Sequence, residues 1–405
     1  MLNVSSPAET FDIISEHFNH IHTGPEEVQL FDALGRVLFE DISSAEDLPA
    51  FTRSTVDGYA VCAKDTFGSS GDIPAILAII GEVPMGDVFH GTAVAGECVY
   101  IPTGGALPEG TDAVVMVEYI EDYGDGTVGV LSAVAPGQNL IPAGADISTG
   151  ALLLEAGTSL KAHDIGALAA LGLTGVCVFA RPRVGILSTG DELVAPGEPA
   201  GPGQIRDINT GLLSAAVQDA GGKPVSYGIC RDRPEAIKEM LIKMAAETDI
   251  VVLSGGSSAG AMDAAYESIS GLGQVYLHGI AIKPGKPTIV GEIDQKPVFG
   301  LPGNPLAAYF IFRIFVEPLI GNMQKQKSRH AEITKASLST AISSNHGREE
   351  YVLIRLREDG GAVLAEPVAS TSGLITKLAG ADGYIRIPRD SEGLSSGAAV
   401  DVIIF

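Results

Sequence analysis

From Arg181 onward, short unbroken apolar runs alternate with stretches whose apolar residues recur at helical spacing, the pattern of an α/β sheet. Residues 184–187, 224–229, 250–253, 288–290 and 298–300 read as strands, and residues 209–220, 234–246 and 305–320 as helices. Asn304 as N-cap with Pro305 as first helical residue is a strong start signal for the last of these. The run at 250–253 is apolar and rich in β-branched residues, which marks a buried strand, and SGGSSAG carries it from Ser254 to Gly260 into a helix. A parallel strand that turns through glycines into a helix offers free backbone N–H groups to an anion. Taken alone, that turn matches neither a phosphate loop nor a dinucleotide fingerprint, and a tight turn without a ligand explains it as well.

The pattern differs on either side. Residues 7–45 read as helical, with Phe11, Ile14 and Phe18 on one packing face. Between residues 60 and 141, AILAII, ECVYIPTG, AVVMVEYI and TVGVLSAV are short apolar runs separated by glycine, a β-rich block. Residues 142–178 return to helical spacing, so the β-rich block reads as an insertion whose two flanks pack together. Beyond residue 326, EYVLIRL, GAVLAEPVA, YIRIP and AVDVIIF suggest a small β-barrel or sandwich. The domains expected are 1–45 with 142–178, then 46–141, 179–325 and 326–405.

Charge narrows the partners. A net charge of −24 over 405 residues argues against nucleic acid and against an anionic membrane surface, so any anionic ligand must be held by local donors. The four cysteines are far apart with no CxxC, as in a reduced cytoplasmic protein, and no apolar run is expected to span a membrane.

In a doubly wound sheet the strand-to-helix turns open on one carboxyl edge, so STGDE, SGGSSAG and PGNP should line one crevice. That gathers Thr189, Gly190, Asp191, Glu192, Ser254, Gly255, Gly256, Ser257, Gly303 and Asn304, with Asp249 and Asp263 flanking and Lys283, Lys286 and Pro287 in KPGKP. Hard-oxygen carboxylates beside phosphate-binding turns suit a divalent cation, Mg2+ first, with Asp191, Glu192 and Asp263 as ligands. A helix N-terminal charge explains each carboxylate without any ligand, most strongly for Asp249. No Ser/His/Asp triad or cysteine nucleophile is apparent, and His278 stands alone.

The ordered set LPAFTRSTVDGYAV, IPTGGALPEGTDAVV, STGDEL, GQIRDINTGLL, SGGSSAGAMD, IKPGKP and GLPGNP resembles the MoeA-type molybdopterin molybdenumtransferases, the family that includes the gephyrin E-domain and its plant counterpart. GREEYVLIRL and TSGLITKLAGADGYIRIP extend the likeness to the C-terminus. The resemblance implies a multidomain α/β plus β protein: a molybdopterin-binding sheet domain, a helical domain with a β-rich insertion, and a C-terminal β-barrel-like domain. It implies a cytoplasmic homodimer that inserts molybdate into adenylylated molybdopterin with release of AMP, assisted by Mg2+, the molybdopterin adenylyltransferase being a further partner. It places catalytic roles on Asp57, Thr103, Glu192, Asp249, Asp263, Lys283 and Lys286, and oxyanion contacts on Arg348 and Ser372. His278-Gly279 stands where the family usually has a basic residue, Ala307 replaces its usual serine, and TRS and SSAGAMDAAY depart from the common versions. Molybdopterin adenylylation, carried by the same α/β domain in a sister family, and a non-catalytic scaffold are the rival readings.

Overall fold

The computed structural model describes residues 4–255, 259–327, 332–368 and 375–405. Its centre is a six-stranded sheet in the order Lys223–Cys230, Arg183–Thr189, Ile250–Gly255, Lys296–Pro302, Ile289–Ile293, Gln274–His278. The first four strands are mutually parallel, the fifth runs antiparallel to them and the sixth antiparallel to the fifth, so the doubly wound reading holds with a mixed edge. Ile250, Val251 and Val252 are fully buried, as an uninterrupted apolar strand covered on both faces must be. Helices Pro234–Glu247 and Ala259–Leu272 pack on one face, and Asn209–Asp219 and the helix from Pro305 on the other.

The Pro305 helix runs to Met323 and contains a π-helical segment, Phe312–Val316. Contrary to expectation it is long and apolar enough to cross a bilayer, yet 67% of it is buried within the protein. Phe310, Phe312 and Phe315 pack into the sheet's core, which accounts for that hydropathy.

The N-terminal helix is Pro7–Phe18, closed at its start by reciprocal hydrogen bonds between Ser6 and Glu9. Its Ile14 and Phe18 join the core of the α/β sheet, and the partly exposed Phe11 lies 4.9 Å from Phe315. The expected helix over residues 19–45 is not formed. Gly24-Pro25 breaks it, and Pro25–Gln29 instead pairs antiparallel with Gly175–Phe179. Ile42–Ser43 pairs with Leu152–Leu154, and Leu30, Leu38, Leu160, Leu168, Val176 and Val178 form one core across the two flanks, with Ala162–Ala170 as their α-helix.

Between the flanks is a six-stranded sheet in the order Ala113–Met116, Gly58–Val61, Glu97–Ile101, Ala75–Glu82, Thr127–Val130, Ile120–Asp122. Near the C-terminus, Glu349–Asp359, Ala362–Pro367, Ile333–Leu338, Ala399–Ile404 and Gly383–Ile387 close on themselves as a five-stranded barrel, because Glu349–Asp359 pairs with both its neighbours in the ring. Closure removes the free edges that a small sheet would otherwise expose. Ile282–Lys283, from the KPGKP loop of the α/β unit, adds alongside Glu349–Asp359 in parallel. The functional loop is thereby fastened to the barrel.

Candidate functional site

Three parallel strands end side by side. Thr189 is in register with Gly255, and Gly255 with Pro302. This places STGDE, the Ser254-Gly255 start of SGGSSAG, and PGNP on one edge, as the alternating pattern requires. A cavity of about 300 Å³ opens there, lined by Thr189, Glu192, Ser254, Gly255, Gly303 and Asn304 among others. Its floor is tied by Asn209, which is buried and donates through Nδ2 to Ser254 Oγ (2.7 Å) and to the Gly303 carbonyl (2.9 Å). Beneath it the buried Asp207 carboxylate accepts from Ser188 Oγ (2.9 Å) and from the Thr210 backbone N–H (3.1 Å) and hydroxyl (2.5 Å). Hydrogen bonds, rather than a cation, satisfy that carboxylate. Sequence reasoning did not single out Asn209 or Asp207, although both lie in GQIRDINTGLL and polar residues in an otherwise apolar α/β core were the available signal.

A second cavity, about 860 Å³, lies between KPGKP, PGNP and the barrel. Gly303 and Asn304 line both cavities, so the two share a wall. Lys283, Lys286, Pro287 and Arg348 line the larger one. The loop can approach so closely because Gly285 has φ +121° and a Cβ there would lie 2.6 Å from Ile311 Cδ1. Lys283 is not a free cation: its Nζ lies 2.7 Å from Glu350 Oε1. Lys286 and Arg348 have no carboxylate within ion-pair distance among the described residues.

Other expected members lie elsewhere. Asp249 precedes its strand and therefore stands at the opposite, amino edge of the sheet, about 20 Å from Gly255 at strand rise. Its carboxylate accepts from the Arg183 backbone N–H (2.8 Å) and lies 3.7 Å from Lys296 Nζ, which is a structural role and corrects the catalytic one. Asp191, Glu192 and Asp263 are not assembled as a metal site. Glu192 lines the smaller cavity, Asp191 and Asp263 are exposed, and among the described residues no three His, Cys, Asp or Glu side chains are placed to hold a metal ion. Gly256, Ser257 and Ser372 lie outside the described residues.

Asp57 and Thr103 do meet, at the end of the β-rich sheet. The Thr103 backbone N–H and hydroxyl both donate to Asp57 Oδ1, at 2.7 and 2.9 Å, and these two bonds hold the Asp57 carboxyl below its usual range. Neither residue lines the two cavities of its own chain. His278 is stacked on Tyr266 at 4.8 Å beside Asp263. Burial lowers its pKa against the opposing pull of Asp263, so it is neutral at neutral pH and does not supply the charge of a basic residue. Asp232, absent from the sequence-derived set, follows the Lys223–Cys230 strand next to Thr189, Glu192 and Asp191. Burial raises its pKa, a hydrogen bond from Thr189 opposes that, and the neighbouring carboxylates add to it.

Comparison with known proteins agrees with this arrangement. Residues 5–172 match the family profile "MoeA N-terminal region (domain I and II)", residues 185–322 "Probable molybdopterin binding domain", and residues 335–405 "MoeA C-terminal region (domain IV)". A molybdopterin molybdenumtransferase of Bacillus subtilis is 33% identical over 390 residues, covering 94% of this chain and 89% of its own. One from Nostoc sp. is 34% identical over 392 residues, covering 93% and 88%. The crystal structure of a molybdopterin biosynthesis moeA protein from Pyrococcus horikoshii OT3 superposes with a TM-score of 0.86 at 33% identity over 100% of both chains.

Proposed function

The chain belongs to the MoeA family, which includes molybdopterin molybdenumtransferases, and from that premise we propose how its own residues insert molybdate into molybdopterin. The single observation that carries the reading is the shared wall at Gly303 and Asn304, which joins a crevice of strand-end amides to a cavity lined by cations. Adenylylated molybdopterin enters the smaller crevice, where its phosphates meet the backbone N–H groups at the start of the Pro305 helix, an end whose dipole favours anions. Molybdate, a compact tetrahedral dianion, is held across the wall by Lys286 and Arg348. In a protein of net charge −24 this is a place where two cations without a carboxylate partner among the described residues line one cavity. Molybdate and dithiolene then meet at the PGNP turn, where the two thiols give up their protons and displaced oxo oxygen leaves as water, and hydrolysis of the phosphoanhydride by water releases AMP from the crevice.

The finer assembly is part of the same proposal. The active species is a homodimer in which Asp57 and Thr103 of one subunit face the crevice of the other, because their hydrogen-bonded pair lines neither cavity of its own chain. Mg2+ commonly completes its shell with waters and substrate phosphates around one or two carboxylates. The described residues do not form a preassembled set for it, so no step is assigned to it here.

Lys286→Ala tests the reading. Losing a charge-assisted hydrogen bond costs ~1.5–3 kcal/mol, which raises the molybdate needed for half-maximal turnover roughly 10- to 100-fold. Binding of adenylylated molybdopterin should be nearly unchanged. If pterin binding falls while the molybdate requirement stays, Lys286 serves the phosphates and the assignment is wrong.

A further inference from the structure

The wall of the larger cavity contains a carboxylate, which is unexpected where an anion is to be held. Lys283, Lys286 and Arg348 are its cations and Glu350 is its only acid among the described lining residues. Glu350 is nearly buried, with 12% of its side chain exposed, and both its oxygens are engaged: Oε1 by Lys283 Nζ and Oε2 by Ser344 Oγ, each at 2.7 Å. The backbone enforces the pairing, since Lys283 is in register with Glu350 and the Glu349 N–H donates to the Ala281 carbonyl at 2.9 Å.

We propose that Glu350 determines the anion charge this cavity accepts: by holding the Lys283 ammonium it leaves two unpaired cations, Lys286 and Arg348, matched to a dianion. This rests on the oxyanion reading above and adds a residue to it. Three free cations would hold a dianion more tightly but would also favour anions of higher charge, and selectivity is a difference between affinities. The bare carboxylate that would remain without Lys283 repels the dianion, because the nearly buried Glu350 would then carry an uncompensated charge. The pair therefore does its work as a neutral unit.

Equilibrium dialysis of molybdate against the full chain separates the outcomes, with wild type, E350Q, K283Q, the double variant and K286A compared at one ionic strength. Gln keeps the shape of Glu350 and still accepts from Ser344. Lys283 is 44% exposed and so partly screened; E350Q should tighten molybdate binding about tenfold and K283Q weaken it about tenfold. The double variant restores the charge balance and should return to within about twofold of wild type. If the pair were merely a clip between loop and barrel, both single variants would weaken binding and the double would not recover, and that result overturns the role of Glu350. K286A binding molybdate like wild type would instead overturn the oxyanion site itself, and this inference with it.

Discussion

Gly255 lies where two strands come closest at the crevice floor, and replacing it with alanine is a sharp test of that geometry. A Cβ at Gly255 would lie 1.8 Å from Thr189 Oγ1 and 2.6 Å from the Thr189 carbonyl oxygen. The hydroxyl can rotate away, but the carbonyl belongs to the backbone of a buried strand and must shift. Overpacking of this kind costs about 1–3 kcal/mol. Reduced freedom of the unfolded chain returns about 0.4–1 kcal/mol to alanine, leaving a net loss of roughly 1–2 kcal/mol. Gly190→Ala is the control on the same edge. Its Cβ would lie 2.9 Å from both Glu192 Oε2 and Leu193 Cγ, side-chain atoms rather than backbone, so the loss should be smaller than at Gly255 while the crevice mouth changes. Urea unfolding followed by far-UV circular dichroism, with wild type and both variants compared in the same transition, reads the difference. Gly255→Ala should lower the midpoint without changing the slope. Equal midpoints for Gly255→Ala and wild type, or equal losses in both variants, would refute the steric reasoning and return Gly255 to a purely ligand-binding role.

The composite site predicts that, at limiting molybdate, mixing Asp57→Ala subunits with Lys286→Ala subunits restores part of the activity each lacks alone, since one of the two sites in a mixed dimer is intact; no recovery in verified mixed dimers counts against a shared site. Asp232→Asn should stabilise the protein at pH 7. A half-buried carboxyl with a raised pKa favours folding below its unfolded value of 3.8, and that contribution is lost as pH rises through the folded value. The variant's gain in melting temperature should therefore shrink as pH falls into the carboxylate range, and a gain independent of pH would contradict the assignment. Calorimetric titration of Mg2+ into the ligand-free protein should show no stoichiometric site, and tight binding without substrate would mean that a carboxylate set assembles after all.

Much of the crevice could be read from sequence because its parts are local. Apolar runs that pass into glycine-rich turns placed Thr189, Gly255 and Gly303 on one edge, and Asn304-Pro305 fixed the helix behind them. The same locality explains the errors. The catalytic role of Asp249 rests on the family resemblance, whereas its position before a strand already favours a structural charge at the strand's other end. Residues 19–45 lack a strong β pattern, and their strands exist only because residues 152–179 pair with them. The Lys283–Glu350 pair joins positions 67 apart in sequence and needs barrel closure to form, so neither spacing nor composition could announce it. In the sequence Asp232 is a lone carboxylate two residues before the Pro234–Glu247 helix, with no motif around it. Its burial next to Thr189 is visible only in three dimensions.

The most direct test of the central claim is to give the purified protein adenylylated molybdopterin with and without molybdate, and to follow AMP release together with activation of a molybdenum-dependent apoenzyme. The account predicts that both signals appear only when molybdate is present, and that Lys286→Ala shifts their molybdate dependence in parallel. Steady AMP release without molybdate, or formation of adenylylated molybdopterin from molybdopterin and ATP, would contradict it.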